Sequence, residues 1–113
     1  MINATIFFPS GDGLKILGLM EVDRKKLKNN KHQLCNGFIT IQACEDNFEE
    51  GKQYLKTNGV PYLICVVNFV ADNSLVTNIY RLGVGTSEVI NGGKEIRICF
   101  LDSALEGSVK NKM

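Results

Sequence analysis

The chain lacks an excess of charge of either sign: thirteen Lys and Arg stand against twelve Asp and Glu, a formal net charge of +1. Such a balance exerts no long-range pull on nucleic acid or an acidic membrane, so any polyanion site must be local. An apolar run of membrane-spanning length is also missing. The longest uncharged stretch, Thr57 to Ala71, is interrupted by Pro61 and Asn68 and falls short of the ~18 residues a membrane helix needs. The opening "MINATIFFPSGDG" has no basic leader and only a short apolar run, unlike a secretory signal. These absences predict a soluble cytoplasmic protein with no membrane partner.

Closely spaced cysteines are missing too. Cys35, Cys44, Cys65 and Cys99 are scattered, and the last three sit in apolar, strand-like runs. This predicts thiols packed as small hydrophobes in a reducing compartment rather than a disulfide framework. His32 and Cys35 form the one close pair of soft metal ligands, followed at a distance by Cys44, whereas structural zinc sites pair their ligands more tightly. We therefore expect no metal and no cofactor. The stretch "LGVGTSEVINGGKE" has the glycines of a phosphate loop but not the spacing. Glu88 stands where the first Walker glycine belongs, and Glu95 where a hydroxyl should follow Lys94.

What is present reads as a packed domain. With 44% hydrophobic and 22% charged residues, the chain has an ordinary globular composition. Met1 to Phe8 and Leu14 to Val22 read as strands paired around a wide "PSGDG" loop. Phe38 to Cys44 alternates with the two-residue period of a third strand. Asp46 with Glu49 gives a helix start and Asn58-Gly59 a stop, predicting a helix over about 46–58. Phe48, Gly51 and Leu55 form its buried stripe, and a mid-stripe glycine implies close approach to a sheet.

The continuous apolar run "PYLICVVNFV" from Pro61 predicts a central strand covered on both faces, reached from the third strand by a right-handed crossover. Leu75 to Leu82 and Val84 to Ile90 read as one bulged strand or two. Asn91-Gly92-Gly93 supplies a hairpin turn, and Lys94 to Leu101 is the last strand. Residues 103–113 read as a polar C-terminal tail, disordered or a short docking helix, outside a domain of residues 1–102. The fold class expected is α+β, with a mixed, mostly antiparallel sheet of about six strands and one helix packed on one face.

The layout of Asn36 to Phe69, a strand, a helix and a buried strand after a hairpin, resembles the core of the PD-(D/E)xK nuclease-like fold. In "ITIQAC" the resemblance places the family's metal-binding acid or glutamine at Gln42 and its lysine at Cys44. Because Cys44 lacks the cation that stabilises attacking water and developing phosphate charge, the resemblance implies a degenerate scaffold rather than a cleaving enzyme.

No complete set of acid, base and nucleophile emerges. The expected function is a small non-enzymatic binding, regulatory or inhibitory module acting through protein–protein contacts, of the kind phages and mobile elements encode. The alternative is nucleic-acid binding through the basic run Arg24, Lys25, Lys26, Lys28 and Lys31, which would grip phosphates. No aromatic residue lies between Glu21 and Asn36 to stack on bases. A homodimer is also expected, through pairing of an edge strand, Met1 to Phe8 or Lys94 to Leu101, across a twofold axis.

Overall fold

The computed structural model describes residues 2–22, 37–43, 46–57 and 59–112. Its strands are β1 (Ile2–Ser10), β2 (Gly13–Val22), β3 (Gly37–Ala43), β4 (Tyr62–Ala71), β5 (Ser74–Ile90) and β6 (Glu95–Lys112), with one helix, α1 (Phe48–Thr57), between β3 and β4. The fold is α+β as expected, with one six-stranded sheet and one α-helix among the described residues. Every pairing is antiparallel, and the sheet closes into a barrel in the order β1-β2-β3-β6-β5-β4.

Two three-stranded meanders, β1–β3 and β4–β6, build the barrel and α1 joins them. It closes where β1 Ala4–Phe7 pairs with β4 Ile64–Val67 and where β3 Gly37–Gln42 pairs with β6 Glu95–Phe100. The right-handed crossover expected between the third strand and the strand after Pro61 is therefore not formed: β3 and β4 are never neighbours. Gln42, placed by the nuclease-like layout at a metal site, lies exposed on the barrel exterior, and Cys44 is outside the described residues. Met1 to Phe8 and Lys94 to Leu101 were candidate edges, but closure gives β1 neighbours in β2 and β4 and gives Glu95–Phe100 neighbours in β3 and β5.

Turn chemistry sets the hairpins. Ser10 pairs directly with Gly13, so the expected wide loop is a two-residue turn with Gly11 at φ 58°. Asp72 and Asn73, at φ 51° and 60°, join β4 to β5, the double positive φ that matches strand twist. Asn91 and Gly92, at φ 53° and 66°, make the predicted turn before β6. The two stretches from Leu75 to Ile90 are one strand, with register shifts at Gly83–Val84 and Val84–Thr86.

Alternation sends Ile6, Phe8, Leu17, Ile41, Leu63, Cys65, Val67, Tyr80, Leu82, Ile96 and Ile98 inward, all essentially fully buried. Helix α1 closes one end of the barrel with Phe48, Gly51 and Leu55. A Cβ on Gly51 would overlap Leu17 and come within 3.3 Å of Phe8, confirming the close approach its place in the stripe implied. Gly18 is more constrained: a Cβ there would overlap the Gln42 carbonyl where β2 meets β3.

At the other end β4, β5 and β6 run on together, giving a molecule 41 Å long and 27 × 25 Å across. Residues 103–112, expected as a polar tail, continue β6, with Ser103 opposite Leu82 and Lys112 opposite Ser74. A third register shift in this ladder, at Ile79–Tyr80, hides the strand period from a reading of the sequence.

Candidate interaction surface

Barrel closure puts half the side chains of each strand on the outside, and their character differs around the circumference. Strand registers define two exterior ladders across β2, β1, β4, β5 and β6. One reads Leu19–Thr5–Val66–Ile79–Gly107, the other Ile16–Phe7–Ile64–Arg81–Ala104. Leu19 and Ile16 are 49% and 39% exposed, and Thr5, Phe7, Ile64, Val66 and Ile79 are half-buried. Further along β4 and β5, Val70 pairs with Leu75 on the same exterior side, and both are exposed.

Arg81 is the one charged residue in these two ladders, and its guanidinium lies 3.8 Å from the centroid of the Tyr62 ring. That stacking shields the apolar stem while leaving the charge in water. The Tyr62 backbone is held from the other side by α1. The Tyr54 hydroxyl donates to the Tyr62 carbonyl (2.9 Å) and accepts from its N–H (2.8 Å). Burial raises the Tyr54 pKa above its usual value.

Pro61 to Val70 has the composition of a strand covered on both faces, yet only one face is covered among the described residues. Leu63, Cys65 and Val67 enter the core, whereas Tyr62, Ile64 and Val66 form a half-buried exterior over which no described element packs. Helix α1 sits over the barrel end at Phe8 and Leu17, not over this wall.

The opposite wall is polar. Its rows are Phe38–Cys99–Thr86, Thr40–Arg97–Glu88 and Gln42–Glu95–Ile90. Phe38 and Leu101 stand out, 70% and 73% exposed. Leu101 leans over Gly85, and Asp102 leans over Gly83 and accepts its N–H at 3.1 Å.

The acidic helix start is occupied by structural pairs. Glu50 accepts from Lys15 at 2.7 Å and from the Ser10 hydroxyl, tying α1 to the first hairpin. These partners, Lys15 foremost, hold its carboxyl below the usual range. Glu49 pairs with Lys52 at 2.8 Å. In the glycine-rich segment, Ser87, Glu88 and Val89 border a depression of about 120 Å³ with Lys52, Leu55, Lys56 and Ile96, below the ~300 Å³ at which ligand pockets begin. Of the cysteines, Cys65 is fully buried and burial pushes its thiol up to about 12, the behaviour of a core hydrophobe. Cys99 is a half-buried free thiol.

The basic run Arg24, Lys25, Lys26, Lys28 and Lys31 lies outside the described residues, as do His32 and Cys35. Among the described residues there is no group of His, Cys, Asp and Glu able to hold a metal ion, and no helix long and apolar enough to cross a membrane. No family model, curated protein or solved structure matches the chain. Sequence reading missed the exterior wall because β1, β2 and β4 are apolar at both parities, which reads as burial.

Proposed function

We propose that this chain is a small binding module of the cytoplasm that works by covering its β1–β2–β4–β5 exterior with a protein partner. The observation that carries this reading is the apolar outer face of β4, half-buried at Tyr62, Ile64 and Val66, over which no described element packs. A strand apolar on both sides is the signature of a strand packed on both sides, and here the second layer is supplied by another chain. A contiguous, almost uncharged wall, half-buried at its centre and exposed at Ile16, Leu19, Val70 and Leu75, is unusual on a protein that acts alone. Regulatory or inhibitory action follows the same logic: a chain with such a wall acts by occupying a surface of its partner.

The test is a double substitution, Ile16→Lys with Leu19→Lys, at exposed positions on the flank of the wall. The variant is expected to fold as the parent does, by circular dichroism and thermal melting, and to lose the protein that co-purifies with the parent. Nucleic-acid binding through Arg24 to Lys31 makes the opposite forecast. In that reading a co-purifying oligonucleotide survives the double substitution and is shed steeply with rising salt.

A further inference from the structure

In the two rows that form the β1–β2–β4–β5 wall, charge enters at one point. Arg81 lies in the row Ile16–Phe7–Ile64–Arg81–Ala104, opposite Ile64 on β4 and Ala104 on β6. It is exposed, whereas Ile64 and Phe7 further along the row are half-buried.

The cation is held in place. Its guanidinium carbon stands 3.8 Å from the centroid of the Tyr62 ring, and the Tyr54 hydroxyl fixes Tyr62 at both backbone groups. At that distance the guanidinium lies on the ring face, which leaves the N–H donors at the edge of its fork available to a partner. Among the described residues Arg81 takes part in no ion pair. Asp102, on β6 opposite Gly83, is turned to the Gly83 N–H at 3.1 Å instead.

A protein that covers the wall takes water away from Arg81. A charge stripped of water and left unpaired is strongly disfavoured, so a wholly apolar covering surface is rejected. A carboxylate on the partner removes that penalty and matches the planar fork with two parallel hydrogen bonds. Its single negative charge balances the single cation. The near-double charge of a phosphate would leave a surplus among Phe7, Ile64, Val66 and Ile79.

We infer that the partner surface seated on this wall carries one Asp or Glu side chain bound to Arg81, with apolar residues beside it over Ile64 and Phe7. The inference rests on the wall being a protein interface, as proposed above, and adds the charge that the partner brings to it.

Selection from a random peptide library displayed on phage tests this, against the purified chain, Arg81→Glu, and Ile16→Lys with Leu19→Lys. Peptides selected on the parent are expected to lose affinity for the double substitution and to share one acidic position among apolar ones. Arg81→Glu weakens them about thirtyfold or more. Changing the peptide's acid to Lys weakens binding to the parent by a similar factor and restores binding to Arg81→Glu. A misfolded variant gives no such restoration, so loss of pairing is separated from loss of fold. Peptides that need Ile16 and Leu19 but bind Arg81→Glu as they bind the parent overturn the carboxylate and leave the wall reading intact. No binder, or only binders indifferent to the double substitution, overturns the inference together with the reading it rests on. A parent chain that sediments as a dimer, lost in the double substitution, makes a second copy the occupant and overturns the carboxylate, since the two rows carry no acid.

Discussion

The Tyr54 hydroxyl holds both backbone polar groups of Tyr62, accepting from the N–H at 2.8 Å and donating to the carbonyl at 2.9 Å. One side chain from the helix thus substitutes for a neighbouring strand at the first residue of β4. The ring beneath it also packs on Phe8, with centroids 6.0 Å apart, so the contact couples α1, β1 and β4.

Tyr54→Phe keeps the ring and deletes the hydroxyl, leaving a partly buried N–H and C=O unpaired. The expected loss is about 1–3 kcal/mol, read as a lower urea midpoint with an unchanged slope. A change under a few tenths of a kcal/mol would mean that water replaces the hydroxyl.

Gly18→Ala and Gly51→Ala should rank in an order that helix propensity would not suggest. Alanine at Gly51 gains about 1 kcal/mol of propensity, and the Leu17 side chain it meets can turn aside. At Gly18 the obstacle is the Gln42 backbone carbonyl, which cannot move without opening the β2–β3 ladder. Gly18→Ala is expected to cost at least about 2 kcal/mol, the range of overpacking in tight sites, and Gly51→Ala clearly less. Equal midpoints in parallel denaturant titrations would contradict the packing described.

Lys15 and Ser10 lower the Glu50 pKa from its ordinary 4.5. A depressed carboxyl contributes stability that is fully present above its unfolded value and is lost as pH falls through its folded value. The melting-temperature gap between the parent and Glu50→Gln should therefore be full at pH 6 and close as pH drops below about 4.5. Because the pair is exposed, the gap is small and shrinks in molar salt. A gap that widened on acidification would refute this role.

Cys65 and Cys99 should separate under alkylation. With its thiol pushed up to about 12 and its sulfur in the core, Cys65 stays unmodified by iodoacetamide at pH 8 until the chain unfolds. Cys99, half-buried on the exterior, reacts in the native state. Peptide mapping by mass spectrometry reads both sites, and early loss of Cys65 would mean that the barrel opens readily.

Local features of this fold were legible and long-range ones were not. The alternation of β3, the helix stripe Phe48, Gly51 and Leu55, and the Asn91-Gly92 turn each depend on neighbours in sequence. Closure instead depends on Phe7 meeting Ile64 and Phe38 meeting Cys99, matches of register between distant segments that no local period encodes. The strand through Asp102 to Lys112 was hidden because few of its residues are apolar and its inward positions include Ser103, Ser108 and Lys110, set by pairing with β5. The outer face of β4 is a related case. The run from Pro61 to Val70 announces two buried faces, and a sequence read by itself assigns both to its own fold.

The measurement that bears most directly on the proposed function is photo-cross-linking in cells from benzoylphenylalanine placed at Ile79, on the apolar wall, and at Arg97, on the polar one. The proposal predicts a discrete adduct with one other protein from position 79, none from position 97, and loss of that adduct when Ile16→Lys and Leu19→Lys are present. Adducts from both positions alike, or from neither, would contradict a partner seated on the exterior of β4.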